Sequence, residues 1–271
     1  MKVRRAGILF LWLHAIVAVF SLAGTWGLYN LPQVPDWDYT ALTFWLGISN
    51  IATGVLAALL LMASREGWKP ALTLLALCMV LAGGMELLGT TTGIPFGEYS
   101  YTDLLGPKFL GHVPYLIPPS WMMMLYPAMV LTQVLMPQGW LRPALAGLLL
   151  TVWDFAMDPA MTTGFAYWQW HTEGGFYGMP WVNWFGWWLT GTLVAAAFWK
   201  VSAWRGEWEP AAFALYLIQG AFMAGLAWLY MRPLASLLWL ASAGVVTVLV
   251  WRRLRARSTS PEEVLAWHTS S

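Results

Sequence analysis

The chain has 271 residues, 59% of them hydrophobic and 10% charged, with a formal net charge of +1 and a mean hydropathy of +0.59. Soluble domains carry about a quarter of their residues as Asp, Glu, Lys and Arg, so a water-soluble globular enzyme is excluded and an integral membrane protein is expected. No nucleic-acid partner is expected.

Apolar runs of about 20 residues, each long enough to cross about 30 Å of hydrocarbon as a helix, recur at about 6–28, 41–63, 70–89, 116–136, 143–161, 181–200, 210–230 and 233–251. The predicted fold is all-α: a polytopic membrane helix bundle in which residues 1–251 form one integral membrane domain with about eight transmembrane helices. Only Met231-Arg232-Pro233 separates the last two runs, so they form either a tight hairpin or one broken segment, which would give seven. The start, MKVRR before an apolar run, also resembles a signal peptide with Ser21-Leu22-Ala23 as a cleavage site. The run is longer than such a segment and continues toward Trp26 and Tyr29, so it is read as the first span. The single cysteine, Cys78, falls inside the third run and reads as a small packed apolar residue. Residues 252–271 form a basic, then polar, cytoplasmic tail. There, Ser260-Pro261-Glu262-Glu263 has the form of a helix start.

The basic residues set the orientation. Lys2, Arg4, Arg5, Arg65, Lys69, Arg142, Lys200, Arg205, Arg252, Arg253, Arg255 and Arg257 fall at the termini or in alternate loops, against only Lys108 and Arg232 on the other side. The positive-inside rule then places both termini in the cytoplasm, which requires an even number of spans. The long loops, rich in glycine, proline and aromatics, lie on the outer side of the cytoplasmic membrane.

Two polar segments interrupt this pattern: Glu86 to Tyr101 (ELLGTTTGIPFGEYSY) and Trp153 to Trp187. Both carry Thr-Thr-Gly just past a helix end, at 91–93 and 162–164, the offset of a parallel repeat of helix pairs. The loop between Thr90 and Tyr115 is long enough to be a lid or binding element.

Asp154 and Asp158 are four apart and lie on one helix face. Glu86 sits near the outer end of its own helix at a comparable depth, so three carboxyls converge without basic partners nearby in sequence. Such groups do not all ionise together; one keeps a proton while another is charged, the division a general acid and base require. The simpler alternative is that each carboxyl caps a helix end. Glu98, Asp103, Glu173, Asp36 and Asp38 read as solvated loop charges. His112 and His171, both in outer loops, are candidates to relay a proton. No closely spaced histidine pair occurs, so no metal site is expected. His14 reads as a satisfied packing residue, Asn50, Gln133 and Gln219 as interhelical hydrogen-bond formers, and Asn183 as an orienting group at the start of its helix.

Tryptophans 121, 153, 168, 170, 181, 184, 187 and 188 crowd the outer side. An interfacial aromatic belt accounts for some of them. Electron-rich ring faces beside carboxyls also stabilise cations, and that pairing points to alkene protonation.

The string Glu86-x-x-Gly89, Thr92-Gly93-x-Pro95-Phe96-Gly97-x-Tyr99-x-Tyr101, Leu105-Gly106-Pro107, Pro114 and Trp121 resembles the membrane carotenoid 1,2-hydratases. So does Trp153-Asp154-x-x-x-Asp158-Pro159, followed by Trp168-x-Trp170, Tyr177-Gly178-x-Pro180, Asn183 and Gly186-Trp187. Gly111-His112-Val113-Pro114 departs from the simpler Gly-Val-Pro of that family. The resemblance implies addition of water across the terminal C1–C2 double bond of a ψ-end group, without a cofactor. The implied partners are a carotenoid (lycopene, γ-carotene or a related polyene), water and membrane lipid. Asp158 or Glu86 would be the acid and Asp154 the base or water-positioner, with Tyr99, Tyr101, Trp121, Trp153, Trp168, Trp170, Tyr177, Asn183 and Trp187 as substrate contacts. Two other readings are open. One is a membrane prenyltransferase using Asp154-x-x-x-Asp158, although no Lys or Arg lies between Arg142 and Lys200 to meet a diphosphate. The other is a carotenoid or lipid carrier without chemistry.

Overall fold

A computed structural model describes residues 1–33, 36–202, 204 and 206–258. The expected helix at 260–263 lies outside the described residues. Among the described residues the architecture is an all-α helix bundle of eight rods: α1 (Lys2–Asn30), α2 (Tyr39–Glu66), the rod Trp68–Thr92, α5 (Ile117–Leu135), α6 (Arg142–Met161), α7 (Val182–Val201), α8 (Pro210–Leu229) and α9 (Pro233–Ser258). The third rod consists of α3 (Trp68–Leu77), a π turn at Cys78–Ala82 and α4 (Gly83–Thr92). Cys78 is buried in that turn.

Local sequence sets the helix ends. The Asp38 side chain accepts from Ala41 N–H at 2.9 Å and caps α2. Prolines open α5, α6 and α8, where the missing N–H costs no helical bond. Gly93 ends α4 in the left-handed region at φ 77°, with its N–H on Gly89 O. In α1 the buried residues Gly7, Leu11, His14, Ala18 and Ser21 recur every three or four positions, which defines one inward stripe. Leu9, Trp12, Ile16 and Val19 face outward, as a lipid-exposed surface requires.

Among the described residues six rods are long and apolar enough to cross a membrane: α1, α2, Trp68–Thr92, α6, α8 and Pro233–Arg257. α5 and α7 fall short for different reasons. α5 carries three prolines yet is the most enclosed rod, with every residue from Trp121 to Leu131 buried. It packs against α2, α6 and α8, so protein rather than lipid solvates its polar positions. α7 is loaded with tryptophan and opens on Asn183. Small residues allow close approach. A Cβ on Gly191 would lie 3.2 Å from Gly147 Cα, bringing α6 and α7 together, and one on Gly220 would strike the Trp239 indole. Ser236 Oγ donates to Ala224 O at 2.7 Å. The last two runs are therefore a tight antiparallel hairpin and not one broken segment.

The two ends of the bundle differ. At one, Arg4 and Arg65 meet Glu209, and Arg257 donates to the carbonyls of Gln133 and Val134. At the other, the long loops fold into a cover. β1 (Tyr99–Tyr101) pairs antiparallel with β4 (Trp168–Trp170), and β2 (Lys108–Phe109) with β3 (Val113–Pro114). The two polar segments, about 70 residues apart in sequence, are thus joined by a ribbon of register Tyr99 to Trp170, Ser100 to Gln169 and Tyr101 to Trp168. Alternation along a strand sends Ser100 and Gln169 outward and turns all four aromatic rings into the bundle.

Candidate active site

The ribbon's inward face holds two carboxyls. Glu86 is 3% exposed; its Oε2 accepts from the Tyr99 hydroxyl at 2.5 Å and the Tyr101 hydroxyl at 2.9 Å, and its Oε1 from Trp121 Nε1 at 3.1 Å. Asp158 is 1% exposed; its Oδ1 accepts from Trp168 Nε1 and Trp170 Nε1, each at 3.1 Å, and its Oδ2 from Asn183 Nδ2 at 2.6 Å. The Tyr-x-Tyr strand therefore serves one acid and the Trp-x-Trp strand the other. Tyr99 packs on Trp170 and Tyr101 on Trp168, with centroids 5.3 and 6.0 Å apart. Burial, then the adjacent Glu86 carboxyl, pushes both phenols well above the ordinary tyrosine range, so they remain O–H donors.

Phe96 seats the first loop. A Cβ on Gly89 would lie 2.6 Å from its ring, and one on Gly186 would collide with it, so these two glycines make the slot between α4 and α7. Trp121 stacks on Trp187 at 4.3 Å and 17°, and Trp153 meets Trp187 edge-on at 5.7 Å. These rings, with Glu86, Asp158 and Asn183, line a cavity of about 330 Å³ whose far wall comes from α1, α2 and α8.

Asp154 behaves differently from its neighbour one turn away. It is fully buried, its Oδ2 accepts from Asn183 Nδ2 at 3.1 Å, and its Oδ1 has no partner among the described residues. It does not line the cavity; it stands behind Asn183 and shares that amide with Asp158.

Of the expected contacts, Tyr99, Tyr101, Trp121, Trp153, Trp168, Trp170, Asn183 and Trp187 line the cavity, but Tyr177 does not. The Tyr177 hydroxyl accepts from Leu234 N–H at 3.2 Å and its ring lies under Arg232, tying the second loop to the α8–α9 hairpin. His112 and His171 also stand apart. Both are exposed, and His171 reaches Ser100 Oγ at 2.9 Å on the ribbon's outward face. Position in a loop carries no information about strand face, so the sequence could not separate them from the inward residues. Among the described residues no group of three or more His, Cys, Asp or Glu side chains has the geometry to hold a metal ion.

A family description of carotenoid biosynthesis proteins matches residues 46–251, three quarters of the chain and all of the ribbon and its carboxyls. The chain belongs to this family. Over 122 residues it is 35% identical to the bisanhydrobacterioruberin hydratase of Haloarcula japonica, a match covering 42% of this chain and 40% of that protein. The chain thus spans about two fifths of that curated relative. No solved structure matches it. Within the carotenoid biosynthesis family match lie every residue that holds Glu86 and Asp158, whereas α1, which closes the cavity's far side, falls before its first residue.

Proposed function

We propose that this member of the carotenoid biosynthesis family is a carotenoid 1,2-hydratase. The reaction joins a terminal C1–C2 double bond of a ψ-end group and one water to give a tertiary 1-hydroxy carotenoid. The observation that carries the reading is the pair Glu86 and Asp158, two buried carboxyls with no cationic partner among the described residues, facing one aromatic-lined apolar cavity. The hydratase name of the Haloarcula japonica relative supports it.

Hydrogen-bond chemistry divides the roles. Every partner of Asp158 is an indole N–H or an amide N–H, groups that only donate, so its oxygens are suited to an anion. Two of the three partners of Glu86 are phenols, which can turn and accept, so that network can hold a proton. Glu86 gives this proton to C2, forming the C–H bond and a tertiary cation at C1. Ring faces of Trp121, Trp187 and Trp153 stabilise the cation. Water attacks C1 and loses a proton to Asp158, and that proton returns to Glu86 before the next turnover, so both carboxyls end as they began. Asp154 is a positioning residue acting through Asn183. Hydration leaves the oxidation state unchanged, so the reaction calls for no redox cofactor.

A polyene about as long as the bilayer is thick fits with its body in the apolar interior and one end beneath the ribbon. The gathering of basic residues at the opposite end supports a cytoplasmic location for both termini and an outer location for the ribbon. The test is a mass spectrum of carotenoids from cells making lycopene with and without this chain. Gain of one water, lost with Glu86→Gln, is expected; unchanged pigment with the wild-type chain overturns the reading.

A further inference from the structure

The same cavity has a second polar position, deeper in the bundle. Asn50 of α2 and Gln219 of α8 line it, and His14 of α1 lies directly behind. Each sits near the middle of its helix. Gln219 is ten residues before the end of α8, about 15 Å from the ribbon end at about 1.5 Å per residue. A Cβ on Gly54 would strike Met123 Sδ and come within 3.1 Å of His14 Cε1. This places His14 against α5 only two residues beyond Trp121, the residue that binds Glu86.

His14 is not the satisfied packing residue the sequence led us to expect. Its Nδ1 faces Asn50 O at 3.1 Å and Thr53 Oγ1 at 3.3 Å. The carbonyl can only accept, and the Thr53 hydroxyl already donates to Ser49 O at 2.6 Å. Nδ1 therefore carries the proton, and Nε2 presents a bare lone pair. The Gln219 side chain lies close enough to the ring to interact with it, yet Nε2, Asn50 Nδ2 and Gln219 Oε1 are all buried without a hydrogen bond of good geometry among the described residues. The three residues are 0%, 5% and 1% exposed. Leaving such groups unpaired is costly, and a buried water with about three hydrogen bonds is the usual remedy.

The inventory is two acceptors and one donor. One water between them would satisfy all three, donating to His14 Nε2 and Gln219 Oε1 and accepting from Asn50 Nδ2. An alcohol has a single hydrogen and leaves one acceptor unmet. We propose that His14, Asn50 and Gln219 hold one water in this cavity, and that it is the water added to the alkene. The second half rests on the hydratase reading. The water leaves this position toward the ribbon as the cation forms, its oxygen bonds to C1, one of its hydrogens passes to Asp158 and from there back to Glu86, and a further water from solvent refills the position.

The test combines a high-resolution structure of the full chain in lipid nanodiscs with kinetics on lycopene. We expect ordered density within hydrogen-bond distance of the three atoms. Gln219→Leu, close in size, and His14→Leu should each lower kcat about tenfold, the value of one lost hydrogen bond, with KM for the polyene unchanged. His14→Gln, which restores an acceptor, should recover most of the loss. A dry position, or unchanged kcat in both leucine variants, overturns the proposal. If the wild-type protein adds no water to any polyene, the hydratase reading fails, and density at the three atoms upholds the water site alone.

Discussion

Two fully buried kinds of carboxyl sit at opposite ends of this bundle, and they are held by opposite means. Glu209, with a side chain 0% exposed, receives Arg65 Nε at 2.7 Å and Arg4 Nη2 at 3.1 Å, and accepts from Ala211 N–H at 3.2 Å. Glu86 and Asp158 receive only uncharged donors: phenols, indoles and an amide. A cation beside a buried carboxyl fixes it as an anion and makes it an anchor. Neutral donors orient a carboxyl while leaving its proton exchangeable. The first arrangement ties α1, α2 and α8 together; the second provides groups able to do acid–base work.

The comparison breaks most sharply at the neutral pair. Glu86→Gln keeps the shape of the side chain but removes the exchangeable proton, and Asp158→Asn removes the proton acceptor while turning an NH2 toward groups that only donate. Each should lower hydrated product by at least about 100-fold per inserted protein, in the range of general acid–base catalysis. Product at the wild-type level from either variant would overturn its assigned role. Next in size, Tyr99→Phe removes the 2.5 Å bond to Glu86. A loss of about tenfold in kcat is expected, roughly the value of one such hydrogen bond, with protein yield in membranes unchanged.

The paired end should respond in the reverse sense. Glu209→Gln should leave product per folded molecule unaltered and lower thermal stability. Because Arg4 and Arg65 are 47% and 34% exposed, the cost is discounted from the fully buried case to about 1–3 kcal/mol. Burial works to raise Glu209, but the hydrogen bonds from Arg4 and Arg65 outweigh it and hold the carboxyl below the ordinary range. Its stabilising contribution is therefore present above the unfolded value of about 4.3 and lost as pH falls through its lower folded value. Melting measured against pH should show this acid loss in the wild type and its absence in Glu209→Gln.

The bundle was legible because its signals are long. A 20-residue apolar run identifies a helix without knowledge of its neighbours, and the expected 70–89 became the rod Trp68–Thr92. Asp154 and Asp158 could be placed on one face from spacing alone. What spacing could not reveal is that Asn183 stands in front of Asp154 and leaves Asp158 at the cavity. The ribbon was illegible for the opposite reason. Tyr99-x-Tyr101 and Trp168-x-Trp170 are three residues each, too short for a period of two to register, and each finds its partner about 70 residues away. Asn50 and Gln219 were visible as polar breaks in apolar runs, yet their facing one cavity depends on how α1, α2 and α8 pack.

The ribbon also limits how this protein can be taken apart. The tyrosines that hold Glu86 belong to one loop and the tryptophans that hold Asp158 to another, and the three residue pairs between them set both at once. A chimaera exchanging only residues 86–115 with a relative would bring tyrosines whose register was fitted to different tryptophans, and would misplace the carboxyl it had not touched. In modular terms, the two loops are a single exchangeable part.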